Sequence, residues 1–159
     1  MEARLNLMKV APKGAYEAVA ALQRYVNSSG LEHTLLQLVE IRASQINGCA
    51  YCIDMHTKDA RALGESEQRI YLLDAWRESP FYTERERAAL EWTEALTLVA
   101  ESHVPDEVYA SAKKQFSPEE LVNLSLAVSA INTWNRLCVA FRSQPGEYQS
   151  QLKPQTASA

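Results

Sequence analysis

The chain has 159 residues, a length that fits one domain around one hydrophobic core. Apolar residues make up 47 % and charged residues 23 %, while the few glycines (5) and prolines (6) favour long regular elements over turn-rich β structure. A net charge of -4 argues against general affinity for nucleic-acid phosphate, and no apolar run approaches the roughly 18 residues of a membrane span.

In chain order, Met1 to Pro12 mixes Glu2, Arg4 and Lys9 with isolated apolar residues, so it does not read as a secretory signal. The expected setting is the cytoplasm, where cysteines stay reduced and a close pair reads as redox-active or metal-binding. Tyr16, Val19, Ala20, Leu22 and Val26 mark a first amphipathic helix, stopped by Asn27-Ser28-Ser29-Gly30. A second helix is expected from Leu31 to about Ile46, with Leu35, Leu38, Val39, Arg42 and Ile46 on its buried face. Asn47-Gly48 breaks it, and the glycine permits a sharp turn. The third helix is expected to open at Cys49 and run to about Leu63, with Gly64 just past its end.

Ser66 to Trp76 reads as a helix capped by Ser66, followed by a loop at Pro80. Thr83-Glu84-Arg85-Glu86 is a capping-box pattern opening a helix to about Ala100. Pro105 opens a short helix ending near Phe116, and Ser117-Pro118-Glu119-Glu120 caps a long last helix to about Arg142. That last helix is apolar on more than one face, which places it inside the domain or at a subunit interface. The expectation is an all-α, single-domain bundle of about six to seven helices over residues 1–142, with a polar, flexible tail over 143–159.

The informative stretch is Gly48-Cys49-Ala50-Tyr51-Cys52-Ile53-Asp54-Met55-His56. On a helix, Cys49 and Cys52 share a face at i, i+3, and Cys52 and His56 share one at i, i+4. The two cysteines can therefore form a disulfide, and His56 is the partner of Cys52 rather than of Cys49. A helix N-terminus stabilises thiolate, and a histidine one turn on can take or return a proton. Such a thiolate suits attack on an electrophilic oxygen or sulfur, after which the other cysteine closes a disulfide. A rival reading is zinc held by Cys49, Cys52 and His56 in an oligomeric binding protein, although no second Cys/His pair completes the usual set. Haem attachment would need histidine directly after Cys52, where Ile53 stands. Gln37, Glu40 and Ser44 share one face of the preceding helix, and one of them is expected to orient His56.

These residues resemble a known family. Glu40-Ile41-Arg42-Ala43-Ser44-Gln45-Ile46-Asn47-Gly48-Cys49-Ala50-Tyr51-Cys52-Ile53-Asp54-Met55-His56 is similar to the core motif of the alkylhydroperoxidase D-like branch of the carboxymuconolactone decarboxylase family. Ala130-Ile131-Asn132-Thr133-Trp134-Asn135-Arg136-Leu137 is similar to that branch's closing helix, and the resemblance spans about Leu31 to Arg142. It implies an all-α fold assembled as homotrimers or homohexamers. It also implies peroxide reduction without a cofactor, using a hydroperoxide substrate and an external dithiol. By the same resemblance Cys52 is the peroxidatic thiol, Cys49 resolves its sulfenic acid, and His56 relays protons with an upstream glutamate.

The chain departs from the family pattern at two positions. Gln37 occupies the place of the relay glutamate and cannot accept a proton, so Glu40, one turn later, is the candidate replacement. Tyr51 stands between the cysteines where the best-known peroxidases carry histidine, and it is the candidate substrate-facing side chain. The Gln37 departure keeps open a thiol-disulfide oxidoreductase or redox sensor with little peroxidase activity. The family's decarboxylases generally lack the cysteine pair, which disfavours lactone decarboxylation. Cys138, in the last helix, reads as a core cysteine with redox chemistry as the minor option. Trp76, Phe81, Tyr82 and Trp92 read as packing residues, or as walls of an apolar cleft.

Overall fold

The computed structural model describes residues 2–153, which contain helices and no strand. In chain order they are α1 (Leu7–Val10), α2 (Ala15–Asn27), α3 (His33–Ile46), α4 (Ala50–Ala62), α5 (Glu67–Tyr71), α6 (Glu84–Thr97), α7 (Val99–Ser102), α8 (Asp106–Gln115) and α9 (Pro118–Phe141). A 3-10 turn, Leu73–Ala75, follows α5. The seven helices legible in the sequence are all present, and α1 and α7 add single turns that carry too few residues for a periodic signal.

Two expected helices end early. The segment after Ser66 was expected to be one helix to Trp76, but the α-helix stops at Tyr71 and tightens into the 3-10 turn. That turn carries Leu73 and Trp76 into a core cluster with Leu38, Ile41, Tyr82 and Leu90. The helix expected to reach Ala100 stops at Thr97, whose hydroxyl accepts from Asn132 Nδ2 at 3.1 Å, and resumes as α7.

Both capping boxes form: Thr83 with Glu86 opens α6, and Ser117 with Glu120 opens α9, where Pro118 supplies the first helical residue. The helix at the centre is α3, packed on α4, α6 and α9. Leu35, Leu36 and Val39 enter one cluster with α6, α8 and α9, Leu38 and Ile41 enter the cluster around Trp76, and Ala43 joins the cysteines. An ion pair from Arg42 Nε to Glu94 Oε1 at 2.8 Å fixes α3 to α6. The last helix buries one face through Leu124, Ala127, Val128 and Ile131, and leaves Val122 and Val139 exposed. Trp76, Tyr82 and Trp92 are buried packing residues, whereas Phe81 is exposed.

Leu38 has no solvent exposure. Leu38→Ala is expected to lower the unfolding free energy by about 2–5 kcal/mol in a denaturant titration, because the site cannot collapse around the lost volume. A loss below about 1 kcal/mol would contradict the central place of α3.

Residues 143–153 carry no regular element, yet their middle lies on α4. Lys58 Nζ donates to the carbonyls of Gly146 and Tyr148 at 3.2 and 3.0 Å, and the Gly146 N–H donates to Asp54 Oδ2 at 3.0 Å. The rest of the expected tail, 154–159, lies outside the described residues. Among those described, no helix is long and apolar enough to cross a membrane.

Candidate active site

The turn between α3 and α4 sets the position of the cysteines. Gly48 adopts φ +65°, a left-handed conformation that side-chain-bearing residues rarely take. The chain then reverses, and the Cys49 N–H donates to Ser44 O at 2.9 Å. Cys49 is the N-cap of α4, and its sulfur accepts from the Cys52 backbone N–H at 3.4 Å. The two cysteines are joined as a disulfide with Cα atoms 5.4 Å apart, and each is about 1 % exposed. Tyr51 is half-buried against this cluster beside Trp134. Burial pushes the Tyr51 phenol upward, helped by Cys138 and Tyr16 nearby.

The same turn is held by amides from α9. Asn47 Nδ2 donates to Asn132 Oδ1 at 3.1 Å and to Asn135 Oδ1 at 2.9 Å. Asn135, fully buried, donates to Ser44 Oγ at 3.0 Å, so Ser44 serves α9 and not His56. Arg136 donates to Asn132 Oδ1 on its own helix at 2.7 Å. Asn135→Ala is expected to cost about 1–3 kcal/mol, because it leaves Asn47 and Ser44 with unmet hydrogen bonds in a buried place. Thermal or chemical unfolding measures this, and an unchanged midpoint would remove the amide cluster as the anchor of the turn.

His56 faces α3. Its Nδ1 lies 3.0 Å from Gln37 Oε1 and 3.2 Å from Glu40 Oε2, so the ring donates its Nδ1 proton to this pair. Of the three α3 residues named from the sequence, Gln37 and Glu40 reach the histidine and Ser44 does not. Glu40 is about 1 % exposed, and Gln23 Nε2 from α2 donates to its other oxygen at 2.8 Å. A buried carboxylate requires such partners. Burial alone would push the His56 pKa down. The adjacent Glu40 carboxylate, through its charge and hydrogen bond, outweighs this with help from Asp59, and the pKa is raised above 6.5. Asp59 is itself buried and accepts from the Tyr148 hydroxyl at 2.8 Å, while burial and that carboxylate push the Tyr148 pKa up to about 12.

The ligand set Cys49, Cys52 and His56 considered for zinc is not gathered. His56 is drawn toward α3, and the third sulfur at the pair is that of Cys138: the three Sγ atoms all lie within 4.8 Å of one another. In this disulfide state no hydrogen bond joins Cys52 to His56 among the described residues. Gln23, Asp59 and Tyr148 are site neighbours that sequence reasoning missed, and Cys138, read as a core cysteine, is buried as expected but beside the pair. Each comes from a distant segment with no local motif, except Asp59, which follows His56 by three residues on α4.

The chain can be set beside known proteins. The pattern of the carboxymuconolactone decarboxylase family matches residues 13–95. The uncharacterized protein YdfG of Bacillus subtilis (strain 168) is 44 % identical over 140 residues, covering 88 % of this chain and 95 % of the relative. A crystal structure of ATU0492 from Agrobacterium tumefaciens, a protein of unknown function provisionally named an antioxidant defence protein AhpD, has 51 % identity and a TM-score of 0.89. That likeness covers 92 % of this chain and 100 % of the other. The debrominase Bmp8 shares the fold at a TM-score of 0.71 and 21 % identity, over 82 % of this chain and 70 % of its own.

Proposed function

The chain belongs to the alkylhydroperoxidase D-like branch of the carboxymuconolactone decarboxylase family, and on that premise we propose that it is a thiol peroxidase acting on organic hydroperoxides. Cys52 attacks the distal peroxide oxygen as thiolate. The O–O bond breaks, the alkoxide takes a proton and leaves as alcohol, and Cys52 becomes a sulfenic acid. Cys49 attacks that sulfur, water leaves, and the Cys49–Cys52 disulfide forms. An external dithiol supplies two electrons and two protons to restore the pair.

The observation that carries this reading is the buried Glu40–His56 pair one helical turn beyond Cys52. Position 37 holds an amide, so Glu40 provides the carboxylate and Gln37 the second acceptor that fixes the ring. The carboxylate makes His56 a stronger base, which takes a proton from the Cys52 thiol and returns it to the departing alkoxide. Tyr51, which packs against the disulfide, is the side chain this reading assigns to face the substrate. The test is steady-state consumption of cumene hydroperoxide with dihydrolipoamide as reductant. The account predicts saturable turnover proportional to protein. Consumption no faster than that by the dithiol alone would overturn it.

The partners of this reading are the hydroperoxide, the dithiol and further copies of the chain. Exposed Val122 and Val139 on α9, and the apolar side chains of Leu5, Leu7, Val10 and Tyr16 beside Trp134, support assembly as a homotrimer or homohexamer. Light scattering is expected to return a multiple of the 17.8 kDa chain. A single-chain mass at micromolar concentration would contradict assembly.

A further inference from the structure

Cys138 has no part in the chemistry above, yet it is placed as a member of the site. It sits in the last turn of α9, about 7 % exposed, and packs with Ala43, Cys49, Cys52 and Ile131. Its sulfur lies within 4.8 Å of both others. Beyond it, Arg142 adopts φ 56° and turns the chain back, so that the Ser143 N–H donates to Cys138 O at 2.9 Å. The same turn places Ser143 beside Cys138. Burial pushes that thiol upward, and the serine hydroxyl pulls the other way.

We infer that Cys138 is a third working thiol, which exchanges with the Cys49–Cys52 disulfide to give a Cys52–Cys138 disulfide. The Cys138 thiolate attacks Cys52 Sγ, the Cys49–Cys52 bond breaks, and Cys49 leaves as thiolate. The proton given up by Cys138 ends on Cys49 or solvent. One disulfide is broken and one is formed, so no external oxidant or reductant enters. Cys49 is the leaving group because its sulfur accepts the Cys52 N–H at the N-terminus of α4, where a thiolate is stabilised. The exchange frees Cys49 and supplies a second partner for Cys52 when Cys49 is missing.

The test uses Cys49→Ser protein, reduced, treated with one equivalent of diamide, quenched with N-ethylmaleimide and digested with trypsin. Cleavage yields one peptide over 43–58 carrying Cys52 and another over 137–142 carrying Cys138. The expected result is that most of the 137–142 peptide is disulfide-linked to 43–58 in protein that runs as a single chain on a non-reducing gel. Recovery of both cysteines as maleimide adducts, or a Cys52–Cys52 link between chains, would overturn the inference. Cys49→Ala gives the same readout if the serine variant does not fold. Diamide needs no peroxidase activity, so the result stands apart from the peroxidase reading.

Discussion

Cys52→Ser is expected to reduce hydroperoxide turnover to that of the dithiol alone, a loss of at least roughly 100-fold. A serine hydroxyl at this position is neither ionised in the neutral range nor able to form a stable disulfide with Cys49. The fold is expected to survive, because the sulfur is buried in a small cluster and serine is close to it in size. Cys49→Ser is expected to behave differently. The first equivalent of peroxide is still reduced at Cys52, but recycling by dithiol slows, since the sulfenic acid loses its nearest partner. Rapid-quench measurement of the first turnover beside the steady state separates the two variants. Full steady-state activity in Cys52→Ser would show that another group carries the chemistry.

The second large effect is expected from Glu40→Gln. With the carboxylate present, the His56 pKa is raised above 6.5. The pair therefore contributes stability that is fully present below about pH 6.5 and is lost as pH rises through the raised pKa. Glutamine keeps an oxygen near Nδ1 but removes the charge. Burial, the largest single influence on the ring, is then opposed by Asp59 without Glu40, and the His56 pKa is expected to fall. The stability that the pair contributes at low pH is expected to shrink accordingly. Hydroperoxide turnover in the neutral range is expected to fall roughly 10-fold, because the ring without its carboxylate is a weaker base toward the Cys52 thiol. The chain has three histidines, so a proton NMR titration resolves His56 directly. An unchanged His56 titration in Glu40→Gln would remove Glu40 from the pair.

The local parts of this structure were legible in the sequence because they rest on short-range rules. Thr83 with Glu86 and Ser117 with Glu120 announce helix starts through groups three residues apart. Gly48 announces the turn that places Cys49 at a helix N-terminus. The i, i+3 and i, i+4 spacings put Cys49, Cys52 and His56 on one helix, and they put Gln37, Glu40 and Ser44 on the helix before it. The sequence could not say which of those three meets His56. Ser44 turns to Asn135, 91 positions away, while Gln37 and Glu40 share the ring nitrogen.

What was missed depends on contacts that cross the chain. Gln23 reaches Glu40 from α2, and Tyr148 reaches Asp59 from a segment whose polar composition suggested no packing at all. Cys138 was legible as a core cysteine, but only the fold brings it to the pair. The break after Tyr71 was hidden for a related reason. A 3-10 turn leaves the periodic pattern nearly intact while rotating Leu73 and Trp76 into the core.

The most direct measurement is a single turnover. Fully reduced protein is mixed with one equivalent of cumene hydroperoxide, free thiols are trapped at intervals, and the peptides are mapped by mass. The account predicts a Cys49–Cys52 disulfide within seconds, formed roughly 100-fold more slowly in His56→Ala. Two free thiols at Cys49 and Cys52 after minutes in the unaltered chain would contradict it.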